Sequence, residues 1–191
     1  MCGHGVWTVA SITHSTRTKP TPHRSRGGTF DLRAFQPSTG ISTATIAYGD
    51  VVQFDVNVAS ANHRIVKSST MANVPNVLST AFLGIAVEAD ANTIGQTVQS
   101  DKVLVCIANK DTEFKFPTKL AGTAHESSLV GKRSALAYDS SNGMFYADTA
   151  NSTAGDASLV ITEVIDAGTT NGYVAAKFLS TAVARLISAA F

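Results

Sequence analysis

The chain has 191 residues, a formal net charge of +1 and only 15% charged residues, so it is too short for a large multidomain enzyme. Its nearly neutral charge excludes a protein that binds nucleic acid through bulk charge. The many Ser, Thr, Ala and Gly residues favour strands and turns over a helical bundle.

Residues 1–40 are predicted to form an extended basic arm, because no apolar period of 2 or 3.6 runs through them. Five cations stand here against the single acid Asp31. We expect this arm to become ordered only against other chains, with its cations on an acidic surface and its apolar residues as anchors. The candidate partner-binding residues are Arg17, Lys19, Arg24, Arg26, Phe30, Leu32, Arg33 and Phe35.

Residues 41–120 are predicted to form a small β-barrel or sandwich. A turn at Gly49-Asp50 separates two β-branched runs, and the short apolar runs 81–87 and 102–108 indicate buried strands. Gly84, inside one of these runs, indicates a bulge or a close backbone approach. The residues expected in the core are Phe54, Phe82, Leu83, Ile85, Val103, Val105 and Ile107.

Residues 121–179 are predicted to form a second, hairpin-rich β module. Asn142-Gly143 and Asn171-Gly172 each lie between strand-like runs, and both dipeptides tolerate the positive φ of tight hairpin turns. We expect Val160, Val164 and Phe178 to be buried there. Residues 180–191 form a tail or short amphipathic helix, with tail contacts at Val183, Leu186 and Ile187.

The sequence contains no pattern that indicates catalysis. It has neither a nucleophile elbow nor a phosphate-binding glycine motif, and its two cysteines, Cys2 and Cys106, are expected to be free thiols. No His, Cys, Asp or Glu spacing matches a zinc or calcium site. We therefore expect no enzyme activity, metal or cofactor. Without a signal-like start or a membrane-spanning run, synthesis in a reducing cytoplasm, without export by the usual route, is expected.

Several strand and turn motifs resemble the small β-barrel decoration proteins, also called cement or head-stabilisation proteins, of tailed-bacteriophage capsids. The segments that carry this resemblance are Tyr48–Val52, Ile65–Lys67, Phe82–Ala89 and Lys102–Ala108. A later part is similar to the C-terminal part of phage structural proteins; it comprises 138–148, 160–164 and 171–178. The resemblance implies a virion protein on the capsid exterior that bridges major capsid protein subunits. It also implies self-association as a dimer or trimer, without nucleic acid, membrane or cofactor.

A second function remains open, a carbohydrate- or receptor-binding β-sandwich module of a phage fibre or tail. Aromatic side chains stack on sugar rings, and aromatic residues make up 7% of this chain. The candidates for such stacking are Trp7, Tyr48, Tyr138, Tyr146 and Tyr173.

Overall fold

The described part of the chain is built from β-strands, which confirms the all-β prediction. The computed structural model describes residues 18–37, 46–54, 64–67, 82–87, 102–118, 127–139, 142–150, 157–165 and 172–180. The strands are β1 Thr21–Ser25, β2 Leu32–Phe35, β3 Val51–Phe54, β4 Ile65–Lys67, β5 Phe82–Ala86, β6 Val103–Ile107, β7 Thr112–Pro117, β8 Arg133–Asp139, β9 Met144–Asp148, β10 Ala157–Ile165 and β11 Tyr173–Phe178. A short 3-10 turn covers Ser127–Leu129.

The strands form two antiparallel sheets. The first sheet has the order β2-β6-β5-β3-β4, and the second has the order β1-β7-β11-β10-β8-β9. A parallel bridge between Pro37 and Ile65 joins the ends of β2 and β4, and one between Thr118 and Ala147 joins the ends of β7 and β9. Each sheet therefore curls towards a barrel, although neither barrel is closed by a complete ladder.

The same five-stranded arrangement occurs twice. Strands β2–β6 form the first unit and β7–β11 the second, and in each unit the order is first, fifth, fourth, second, third, with a parallel bridge from the first strand to the third. The register shift also recurs where the second strand meets the fourth, beside Val52 in the first unit and beside Leu159 in the second. The chain is thus a structural duplication, with β1 added to the outer edge of β7.

The turn before the second strand of each unit shows the equivalence most clearly. Gly49 and Gly131 have φ angles of 81° and 82°, in the left-handed region that favours glycine. The Gly49 amide donates to Ala86 O and the Gly131 amide to Ile161 O, both at 2.8 Å. The same local backbone conformation therefore precedes the second strand in both units.

Two apolar cores fill the curled sheets. The first core lies in the first unit and contains Ile46, Val52, Ile65, Leu83, Ala86, Val103, Val105 and Ile107. The second core contains, from the second unit, Phe114, Phe116, Phe145, Ala147, Leu159, Ile161, Val174, Ala176 and Phe178. Five residues from the first unit and the loop after it complete the second core: Val51, Phe82, Ile85, Cys106 and Ala108. The opposite face of the first sheet therefore packs on the interior of the second unit.

Most of the predicted core residues are buried, but three are not fully buried. Phe54 is half-buried beside the first core. Val160 is half-buried because it pairs with Lys177 on the polar face of the second sheet. Val164 is half-buried as well, and a register shift between Ile161 and Glu163 places it against the second core.

The predicted division at residue 120 does not coincide with the division between the sheets. Strand β7 belongs to the second unit, since Phe116 and Phe114 pair with Val174 and Ala176 of β11. The expectation that the arm is ordered only against other chains is wrong for residues 18–37, because β1 pairs with β7 and β2 pairs with β6 of the same chain. These ladders satisfy backbone groups of the arm without a partner.

Candidate partner-binding surface

Strand β1 of the arm is held on the second sheet by a charge network. The Arg24 guanidinium contacts Glu113 Oε2 at 2.8 Å through Nε and Glu163 Oε2 at 2.7 Å through Nη2. Lys177 Nζ lies 3.6 Å from Glu113 Oε1. Burial alone would raise the pKa of Glu113, but the hydrogen bond and charge of Arg24, with the charge of Lys177, lower it. Arg24 therefore serves the chain's own fold.

Asp50 is the centre of a buried charge cluster that joins three parts of the chain. Its side chain is fully buried and receives Lys67 Nζ at 3.1 Å, Lys19 Nζ at 3.5 Å and the Ala47 amide at 2.8 Å. Lys67 Nζ also lies 4.7 Å from the centre of the Tyr138 ring. Burial alone would lower the pKa of Lys67, but its contacts with Tyr138 and Asp50 raise it overall.

This Asp50 cluster was missed by sequence reasoning. The Gly49-Asp50 turn was visible as a local signal, but its partners lie on the arm, on β4 and on β8, and no local pattern links them. The cluster connects Lys19 of the arm and Asp50 of the first unit with Tyr138 of the second. It therefore fixes how these segments are arranged.

The remaining arm cations are placed as follows. Arg33 forms a two-pronged hydrogen bond with Asp31, at 3.1 and 3.0 Å, while Arg26 is exposed in the turn after β1. Arg17 lies outside the described residues. Lys19, Arg24 and Arg33 thus share their charge with carboxylates of the same chain, which reduces the attraction they could offer to an acidic partner.

The apolar residues of the arm separate into two groups. The Phe35 ring packs edge-on against Phe54, with centroids 5.9 Å apart, and is half-buried against the first core. Phe30 and Leu32 remain 37% and 47% exposed. Phe35 is therefore an intrachain anchor, whereas Phe30 and Leu32 are not covered by the described residues. Val183, Leu186 and Ile187 lie outside the described residues.

Two further exposed apolar residues occupy equivalent positions in the duplication. Tyr48 is 45% exposed and Val130 50% exposed, and they immediately precede Gly49 and Gly131. Tyr48 borders a shallow cleft with Thr18, Lys19, Thr21 and Ala47. Each unit therefore presents one exposed apolar side chain at the same turn.

The described part of the chain contains one buried thiol, Cys106, and no cluster of metal-ligating side chains. Burial, with a smaller contribution from Asp31, raises the pKa of Cys106 to about 12, so its buried thiol is protonated at neutral pH. Within the described ranges no three His, Cys, Asp or Glu residues are placed to hold a metal ion. Nor does that part of the chain contain a helix long and apolar enough to cross a membrane. His63 and His125 lie outside it.

Comparison with known proteins yields no relative of this chain: no protein-family model, no curated protein and no solved structure matches it.

Proposed function

We propose that this chain decorates the exterior of a tailed-phage capsid and bridges neighbouring subunits of the major capsid protein. The observation that carries the proposal is the placement of the segments that resemble decoration proteins. Residues 48–52, 65–67, 82–89 and 102–108 contribute β3, β4, β5 and β6, which are neighbours in the first sheet. The resemblance therefore falls on four neighbouring strands of the first unit, and only β2 of that unit lies outside it.

The function proposed here is mechanical. The Asp50 cluster and the shared second core hold the arm and both units in fixed positions, so a load applied to one unit is transmitted to the other. Contacts to the shell would come from exposed apolar residues such as Tyr48 and Val130. Full burial of one such side chain contributes about 1.5–3 kcal/mol, and the many copies on a shell multiply that gain.

The carbohydrate-binding alternative is less well supported by the tyrosines. Tyr173 is buried, and its hydroxyl accepts a hydrogen bond from the Thr18 amide at 2.9 Å. Tyr138 lies under Lys67 and packs on Phe145. Tyr48 is the one tyrosine of the described residues that is exposed, whereas a stacking platform needs accessible rings.

The test uses purified particles of the phage that encodes this chain. The chain should be present in a fixed ratio to the major capsid protein, and shells stripped of it should regain heat resistance when it is added back. The double variant Tyr48→Ser/Val130→Ser should restore less heat resistance, while Lys110→Gln, at an exposed position outside the arm, should act like the wild type. Absence from particles, or full protection by the double variant, would contradict the proposal.

A further inference from the structure

On the outer edge of β2, several backbone hydrogen-bonding groups have no partner among the described residues. Asp31 O accepts from the Ile107 amide at 2.8 Å on the β6 side, whereas Gln36 O accepts from the Ile65 amide at 2.9 Å on the other side. Because backbone groups alternate along a strand, the N–H and C=O of Leu32 and Ala34 point away from β6. Both residues are exposed, and none of the described residues bonds to these groups.

The equivalent edge in the second unit is occupied. Bridge residues Pro37 and Thr118 align the two units, so Asp31 and the first three residues of β2 correspond to residues 112–115 of β7. Those β7 residues pair with β1, from Ser25 opposite Thr112 to Thr21 opposite Lys115. The five-stranded unit therefore accommodates an extra antiparallel strand at this edge, and in the first unit no described strand occupies that place.

The other sheet edges are less suited to pairing. Strand β1 contains Pro22, which has no amide to donate, and its pairing with β7 is irregular beside that residue. Strand β4 has three residues, and Ile65 in it already bonds to Gln36 O. Ala147 of β9 is already bridged to Thr118. The edge of β2 is thus the best available template.

We propose that β2 pairs antiparallel with β2 of a second copy of this chain, with Leu32 opposite Leu32 of the partner subunit. In this register the side chains of the two copies are complementary on both faces of the joined sheet. Asp31 comes opposite Arg33 of the partner subunit, and Phe30 comes opposite Ala34 of the partner subunit. Opposite charges thus meet on one face and apolar side chains on the other. A two-fold axis repeats each contact and joins the first sheets into one continuous sheet.

This dimer does not depend on the proposed capsid function, and it is tested on the purified full-length chain without particles. In a Cys2→Ser background, Leu32→Cys should give a disulfide-linked dimer on mild oxidation, since hydrogen-bonded opposite Cα atoms lie about 5.5 Å apart, within disulfide range. Val130→Cys, which is equally exposed but lies off the edge, is the matched control and should stay unlinked.

A charge reversal tests the register. Arg33→Asp places like charges opposite each other twice, and sedimentation should show dimerisation weakened about tenfold or more. Because Arg33→Asp also breaks the intrachain Asp31–Arg33 pair, the control mixes this variant with Asp31→Arg. Both chains then lack the intrachain pair, but opposite charges face each other across the register, so a mixed dimer should form and separate register from local damage. A monomeric wild-type chain at micromolar concentration would overturn the proposal. So would a dimer that is insensitive to both charge variants, or one that cross-links equally well through Val130→Cys.

Discussion

Asp50 shows how a single buried charge organises this chain. It lies in the turn that starts the second strand of the first unit, and its carboxylate meets a lysine of the arm and a lysine of β4. A buried ion pair adds little net stability compared with an apolar pair, but removing one partner leaves an uncompensated charge. The Asp50 cluster therefore acts mainly by favouring one arrangement of the arm and the two units over other arrangements.

Lys67→Met should destabilise the protein by about 3–5 kcal/mol in urea unfolding, because Asp50 keeps only the more distant Lys19 as a cation partner. The double variant Asp50→Asn/Lys67→Met removes the orphaned charge and should recover part of that loss. Equal stability of the wild type and Lys67→Met would show that the Asp50 cluster is not required for the fold.

Gly84 should not tolerate a side chain, because a Cβ there would lie 2.0 Å from Cys106 O in the neighbouring strand. Gly84→Ala should cost about 1–3 kcal/mol or more of unfolding free energy, since backbone atoms would have to move. Gly27→Ala is the matched control, because nothing lies within 4 Å of its added Cβ. Similar unfolding curves for the two variants would contradict this close approach.

Cys106 should make the fold sensitive to alkaline pH. Its pKa is raised from 9.0 to about 12, so between these values the unfolded chain loses a proton that the folded chain keeps, and stability falls with rising pH. The slope from one such group is at most about 1.4 kcal/mol per pH unit. Measured by urea unfolding from pH 8 to 11, the free energy of unfolding should fall less steeply for Cys106→Ala than for the wild type. If both fall equally steeply, the pH dependence comes from other titratable groups.

At the scale of elements, the two sides of β2 should respond differently to proline. The Arg33 amide points to β6, so Arg33→Pro removes a ladder hydrogen bond, whereas the Leu32 amide points to the open edge. Arg33→Pro should lower the midpoint of thermal unfolding clearly more than Leu32→Pro. The reverse order, measured by circular dichroism on monomeric samples, would show that the edges were assigned incorrectly.

The elements that sequence reasoning predicted correctly are those specified by local signals. The buried runs of β5 and β6, the bulge near Gly84 and the β8–β9 hairpin at Asn142-Gly143 each depend on adjacent residues. Strand β1 could not be predicted, because its basic, proline-containing sequence reads as an arm and its partner β7 lies far along the chain. The Asp50 cluster and the charge network of Arg24 were missed for the same reason.

At the scale of the whole molecule, the shared second core should make the two units unfold together. Phe82 of the first unit packs on Phe178 of the second, with ring centroids 5.6 Å apart. Ile65→Ala in the first core should cost about 2–5 kcal/mol and Phe116→Ala in the second about 3–5 kcal/mol. Each should shift one common transition, seen alike by tyrosine fluorescence and circular dichroism. Two separate transitions in Ile65→Ala would mean that the units are independently stable.

The duplication could not be predicted from the sequence, because structurally equivalent positions of the two units mostly carry different residue types. Asp50 in one turn corresponds to Lys132 in the other, and Gly84 in β5 corresponds to Leu159 in β10. What is common is the left-handed glycine, the strand order and the alternation of buried side chains. These are properties of backbone geometry, and many different sequences satisfy them.

The position of β1 also has a consequence for synthesis on the ribosome. This strand is made before its partner β7, which follows about ninety residues later. At translation rates of about 5–20 residues per second, β1 waits roughly 4–18 s for its ladder. During that interval Pro22, His23 and Arg24 make it a poor template for pairing with other nascent chains. The polar sequence of the arm therefore suits a strand that must remain single until the second unit emerges.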